Sequence, residues 1–169
     1  MTTTGKLATA ERTDLLETLT KHRNFLRFTV RDLTDEQAAR RTTASALSLG
    51  GLIKHVATVE RAWLNFVLGG AEAMADAQDD WEGQFRMVEG ETLAGLLDRY
   101  AEVASRTDEI VATLPDLDVS HPLPEAPWFE PGASWSARRV LLHLIAETAQ
   151  HAGHADIIRE SLDGAKTMG

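Results

Sequence analysis

The sequence contains no cysteine among its 169 residues. Disulfide bonds, cysteine-based redox chemistry and thiolate metal ligands are therefore excluded. Any metal ion would have to be bound by histidine, aspartate or glutamate side chains. A reaction that uses a thiol would have to take that thiol from a second molecule.

Positive charge is scarce as well. Lysine and arginine together number 17, against 26 aspartate and glutamate residues, which leaves a net charge of −9. Binding to nucleic acid or to an anionic membrane needs clustered cations, so we expect neither partner. No apolar run has the length of a transmembrane helix, and residues 1–10 are polar, without the apolar core of a signal peptide. These features predict a cytoplasmic protein.

Strand-like alternation is also missing, whereas apolar residues recur with helical periodicity in four segments. The length suits one domain over residues 1–169. The four predicted helices cover approximately residues 10–30, 49–70, 92–114 and 134–162. Residues 34–37 could begin a further short helical turn. We therefore predict an all-α fold, a four-helix bundle with long second and third connections.

The two long connections differ in composition. Residues 71–90 are acidic and include Trp81 and Phe85, and a short extra helix could form there. Residues 115–133 contain all five prolines, together with Trp128 and Phe129. Long loops without secondary structure are uncommon unless they are functional or disordered. The aromatic residues favour a lid or a pocket wall for residues 115–133.

Four ionisable residues share one face of the last predicted helix: His143, Glu147, His151 and His154. They fall within an arc of roughly 80° on the helical wheel. Neighbouring positions hold Val140, Leu144, Ala146, Ile157 and Ile158, and the opposite side holds Arg138, Thr148, Asp156, Arg159 and Glu160. The row therefore faces the predicted core, where burial of imidazoles and a carboxylate is costly without a partner. A metal ion could satisfy them together.

The second predicted helix supplies another histidine, His55, on a face that it shares with Leu52, Val59, Ala62, Trp63 and Phe66. Taken alone, His55 is more typical of a hydrogen-bonded core histidine. Glu147 and His151 are one helical turn apart, so both can reach a common point. With His55 they form a set of three donors, and three protein ligands with an open position are typical of catalytic metal sites.

Other residues leave alternatives open. His154 and His143 could each be a fourth ligand, a group that orients a ligand, or a surface histidine. The aromatic residues Trp63, Trp128, Phe129 and Trp135 could line a substrate cavity or pack in the core. His121 could face the pocket from its loop.

Residues 52–63 (LIKHVATVERAW) and 141–160 (LLHLIAETAQHAGHADIIRE) resemble the DinB-like superfamily of four-helix-bundle metalloproteins, in particular its mini-circle protein branch. The resemblance extends over nearly the whole chain. It implies that His55, Glu147 and His151 bind a divalent metal ion, most commonly Zn²⁺, with Ni²⁺ or Fe²⁺ as alternatives. Glutamate is the middle ligand in the mycothiol-dependent maleylpyruvate isomerases. His154 stands where many relatives have glutamine.

The resemblance implies a function too. Related proteins are S-transferases that use mycothiol, bacillithiol or glutathione, so we expect metal-dependent transfer of a low-molecular-weight thiol, mycothiol, to an electrophilic small molecule. We assign His154 as the catalytic residue and Trp63, Trp128 and Phe129 as the binding cavity. The alternatives are a hydrolase that uses metal-bound water and a non-enzymatic metal-binding protein. Many DinB-like proteins are dimers, which implies a homodimer.

Overall fold

The computed structural model describes residues 3–75 and 83–167. Four long helices form the bundle that the sequence predicts; Trp81 lies outside the described residues. Within this part of the chain the elements are α1 (Thr3–Phe28), α2 (Asp35–Ala39), α3 (Leu49–Ala75), α4 (Leu93–Thr113), β1 (Ser120–Pro122), β2 (Ser134–Ser136) and α5 (Ala137–Asp163). None of the described helices is both long enough and apolar enough to cross a membrane.

Helices α2, α3, α4 and α5 begin where side-chain oxygens can accept hydrogen bonds from the first turn. Such bonds satisfy N–H groups that have no partner inside the helix. The hydroxyl of Ser48 accepts from the backbone N–H of Gly51 at 3.2 Å. Equivalent bonds cap α2, α4 and α5 through Thr34, Thr92 and Ser136. The predicted starts of three long helices are thereby confirmed to within a few residues.

Helix α3 is broken at Gly70, whose φ of 75° and ψ of −162° are not helical. Glycine adopts a positive φ without the strain that a side chain would cause. The sequence predicts a helix end at this glycine, but the helix resumes and reaches Ala75. At the break, His121 of β1 donates a hydrogen bond from Nε2 to the Val67 carbonyl at 3.2 Å. This contact ties β1 to α3.

Strands β1 and β2 form a short antiparallel ribbon, in which Ser120 pairs with Ser136 and Pro122 with Ser134. The sequence gives no sign of them because three residues are too few to show alternation. A further bond from the Leu123 N–H to the Ala133 carbonyl, 2.9 Å long, continues the ribbon. The ribbon closes residues 123–133 into a proline-rich loop at the start of α5.

A buried polar layer divides the core into two apolar clusters. Leu26 and Leu52 belong to one cluster, and Leu19 and Trp63 to the other. Between them, on α1 and α3, the buried Arg23 donates two hydrogen bonds to the buried Glu60 and a third to Asp108 of α4 at 2.8 Å. The layer keeps buried charges paired, as their burial requires.

Helix α5 is buried more widely than its apolar periodicity indicates. Thr148 and Arg159, which we predicted on the solvent side, are buried, whereas Ile157 is 64% exposed. The guanidinium of Arg159 donates hydrogen bonds to the carbonyls of Thr29 at 2.7 Å and Arg31 at 2.8 Å, just beyond the end of α1. These bonds, together with an ion pair from Nε of Arg159 to Asp163 at 2.9 Å, compensate for burial of this charge. Helical periodicity alone does not reveal such partners.

Candidate metal centre

The structure brings His55, Glu147 and His151 together at the contact between α3 and α5. Oε1 of Glu147 lies 3.2 Å from Nε2 of His55 and 3.2 Å from Nε2 of His151. One donor atom from each residue lies within 4.8 Å of the others. The side chains are 8%, 21% and 12% exposed, respectively. The cluster is therefore shielded from bulk water but reachable, and it could hold a metal ion.

The ring of His55 is oriented by Gln84. Nδ1 of His55 lies 2.8 Å from Oε1 of Gln84, and an amide oxygen can only accept, so the proton is on Nδ1. In the neutral ring, Nε2 then presents a lone pair to the carboxylate of Glu147. The Nε2 lone pair of His55 and the carboxylate oxygen of Glu147 then face each other. This contact between two acceptors is favourable only with a proton or a cation between them. The donor set therefore fits a divalent ion.

Glu147 is held in its ionised form. Hydrogen-bonding contacts with His151 and His55 keep the pKa of the Glu147 carboxyl well below its usual range and outweigh the opposing effect of burial. The carboxylate is consequently available as an anionic ligand at neutral pH.

Residues 83–87 reach His55 because α3 has glycines where they cross it. A Cβ atom at Gly51 would lie 1.8 Å from the carbonyl oxygen of Phe85. The Phe85 ring stacks on His55 with a centroid distance of 4.2 Å. The sequence interpretation missed Gln84 and the stacking of Phe85. The available signal, Gly50-Gly51 early in a helix, indicates a close approach without naming the partner.

His154 contacts His151 on the side of the ring that faces away from Glu147. The two Nδ1 atoms are 3.3 Å apart. His154 is not among the described residues that line the neighbouring cavity. It is placed to influence the orientation of His151, and its assignment as the catalytic residue stays a prediction.

A cavity of about 600 Å³ opens beside His55 and Glu147. It includes the three residues predicted for binding, Trp63, Trp128 and Phe129. The 71% exposed Trp128 lies on the loop that forms one wall. The other lining residues are Thr58, Val59, Ala62, Met74, Gln84, Pro124, Glu125, Ala126, Pro127, Trp135 and His143. The site therefore combines a donor cluster with a mostly apolar chamber.

His143 lies on the cavity wall, one helical turn from Glu147. Its ring meets Trp63 and Trp135 edge-on, with centroid distances of 5.1 Å and 5.3 Å. Burial lowers the pKa of His143, so the imidazole is neutral at pH 7. The sequence places His143 on the same face as the ligands, and the structure adds that it faces the cavity.

The sequence profile of the family described as Mycothiol-S-transferase matches residues 14–164. The chain belongs to this family. Membership confirms the resemblance to the DinB-like superfamily. The segment that matches the family, residues 14–164, contains all three residues of the donor cluster and every described residue of the cavity wall.

The fold has a solved counterpart. The crystal structure of the conserved protein of locus from Enterococcus faecalis is similar, with a TM-score of 0.69 and 17% sequence identity. The similarity covers 90% of this chain and 97% of that one. At this identity it establishes the fold alone. No curated protein matches the chain.

Proposed function

We propose that this protein transfers a low-molecular-weight thiol, mycothiol, to an electrophilic carbon of a small molecule, with a divalent ion, zinc, held by His55, Glu147 and His151. The observation that carries the proposal is the convergence of these three donors at the edge of an aromatic cavity. The absence of cysteine agrees with it, because the thiol must come from a second molecule. Family membership supports the same chemistry.

Each residue of the site would have a separate role in this reaction. When bound, a divalent ion would stabilise thiolate over thiol at neutral pH. Gln84 keeps the proton on Nδ1 of His55, so that Nε2 is free to donate its lone pair. Glu147 supplies a negative charge that offsets part of the charge of the ion. Trp63 and Trp135 stack on each other and form an apolar part of the cavity wall, which would shield a reactive electrophile from hydrolysis.

His143 has a place in this scheme as a neutral hydrogen-bonding group. Its imidazole lines the cavity, and its lowered pKa keeps it uncharged. A neutral ring has one donor and one acceptor nitrogen. It can therefore bind a polar group of the electrophile or of the sugar-bearing thiol.

The metal assignment is tested by elemental analysis of gently purified protein. We expect about one divalent ion per chain, as a single three-donor site with an open position holds one ion. Replacement of His55 or His151 by alanine should remove most of the metal. His22→Ala, which changes a half-buried histidine of α1, is the matched control and should keep it. Full occupancy in the His55→Ala/His151→Ala double variant would contradict the assignment.

The reaction is tested with mycothiol and a bromobimane. The expected step forms a carbon–sulfur bond, breaks the carbon–bromine bond and releases bromide, while the thiol proton passes to solvent. The rate above the uncatalysed background should depend on both metal and thiol. Hydrolysis of esters without thiol would instead assign the site to a metal-dependent hydrolase.

A further inference from the structure

The wall of the cavity carries no positive charge among the residues that the structure describes. Its charged members are Glu125 and Glu147, and His143 is neutral. Residues 76–82, which follow the lining residue Met74 in the chain and lie outside the described part, have the sequence DAQDDWE and contain neither lysine nor arginine. The sequence of that stretch therefore offers no cation to the cavity.

Two cations lie beside lining residues without lining the cavity themselves. The guanidinium of Arg139 lies 4.8 Å from the centroid of the Trp135 ring, and Trp63 stacks on Trp135 at 4.8 Å and 15°. A guanidinium and an indole cannot both occupy one face at these distances, so Arg139 covers the opposite face of Trp135 from Trp63. Lys54 pairs with Glu91 at 3.1 Å. Neither cation belongs to the described lining of the cavity.

A bound metal ion would not reverse this balance. Glu147 and the thiolate that the reaction uses carry two negative charges between them. They would offset the two positive charges of a divalent ion, which leaves little attraction for a second anion. A carboxylate of the electrophile would therefore lose its hydration without gaining a cationic partner, which is unfavourable.

The inner wall is suited instead to flat apolar molecules. Trp63 and Trp135 are stacked, and Phe129 meets them edge-on at 6.3 Å and 5.7 Å. His143 completes the group from the side of α5. Aromatic rings in such a cluster favour stacked or edge-on contact with another ring.

We infer that the electrophile accepted by this site is an uncharged aromatic molecule and that carboxylate-bearing electrophiles are discriminated against. The inference rests on the proposed thiol transfer. The proposed function names the reaction, whereas the inference concerns the charge and shape of the electrophile. The inference can therefore be tested both by thiol transfer and by binding alone.

The first test compares para-chloro-dinitrobenzoate with its methyl ester as acceptors for mycothiol. Sulfur replaces chlorine on the ring in both, chloride leaves with the bonding electrons, and the thiol proton passes to solvent. After division by the uncatalysed rates, kcat/KM should be at least about tenfold higher for the ester, a ratio equal to about 1.4 kcal/mol. Equal values for the two acceptors, or a preference for the acid, would overturn the inference.

The second test measures binding without thiol. Quenching of tryptophan fluorescence should show para-nitrobenzoate binding at least about tenfold more weakly than its methyl ester. If the ester binds selectively but no thiol transfer occurs, the proposed function fails while the inference stands. If transfer occurs but acid and ester bind and react equally, the proposed function stands and the inference fails.

A charge reversal supplies the control. Glu125 and Glu130 are both exposed on the same loop, but only Glu125 lines the cavity. Glu125→Lys should bring the affinity for para-nitrobenzoate closer to that for the ester, whereas Glu130→Lys should leave the ratio unchanged. The same change in both variants would mean that overall charge, and not the cavity, governs selection, and it would overturn the inference.

Discussion

Gln84 provides the sharpest test of the candidate metal centre, because it contacts a candidate ligand without being one. We predict that Gln84→Leu weakens metal binding while leaving all three donor residues in place. The variant removes the oxygen that accepts from Nδ1 of His55 at 2.8 Å. His55 and Gln84 are both buried, so water cannot readily replace that oxygen.

The magnitude follows from the two choices left to the imidazole. If the proton stays on Nδ1, a buried N–H loses its partner, which costs about 1–3 kcal/mol. If the proton moves to Nε2, that cost is avoided, but the nitrogen that faces Glu147 no longer has a free lone pair. Without metal the proton can therefore move to Nε2. Metal binding needs that lone pair and returns the proton to the unpaired Nδ1, so metal affinity should fall about 10–100-fold, as is usual when a partner of a metal-binding histidine is lost.

Zinc affinity can be measured by competition with a chromophoric chelator, together with the thermal unfolding of the metal-free protein. Gln84→Glu is the matched control, because it keeps an acceptor oxygen beside Nδ1 and should keep the affinity. The reasoning is refuted if Gln84→Leu binds zinc within about twofold of the original protein, a difference well below the expected range.

Three further predictions concern the surroundings of the site. Gly51→Ala should lower both thermal stability and metal affinity, because its Cβ would displace the Phe85 carbonyl. Gly153→Ala is the control: it has open space around it and should stabilise the protein by up to about 1 kcal/mol. Thermal unfolding and chelator competition would show whether the two variants differ. His154→Ala should lower zinc affinity less than His151→Ala does, since it contacts the ring without facing Glu147; an equal loss would make His154 a ligand. Trp128→Ala should raise KM for the electrophile with little change in Tm, because this side chain lines the cavity but is largely exposed; a large fall in Tm with unchanged KM would assign Trp128 to packing.

The helices were predictable where their signals are local. Ser48, Thr92 and Ser136 mark helix starts because a capping hydroxyl bonds to N–H groups only two or three residues away. The pairing of β1 with β2 was not predictable, since it depends on how residues 115–133 close against α3 and α5. Gly70 shows the same limit. Its positive φ ends one helical stretch, and nothing local in the sequence indicates that the helix resumes and reaches Ala75.

The candidate site divides in a similar way. Glu147 and His151 could be paired from the sequence because one helical turn fixes their separation, and His55 was found from its apolar face and the DinB-like resemblance. Gln84 lies in a connection without periodicity, and only the crossing at Gly51 brings it to His55. The burial of Arg159 was hidden for a related reason: its partner Asp163 lies one turn along the same helix, but the carbonyls that fix it against α1 belong to another helix end and leave no local signal.

The ribbon of β1 and β2 has a consequence for how such a protein can diversify. It fastens the base of the loop at residues 123–133, so that the loop can change in length and composition while α3 and α5 remain in register. The donor cluster is carried by those helices, and six residues that line the cavity, 124–129, belong to the loop. On the proposed function, replacing this one surface segment would alter the recognition of the electrophile and leave the donor cluster in place. A chimera that exchanges this loop between two relatives should transfer the preference for the electrophile with it.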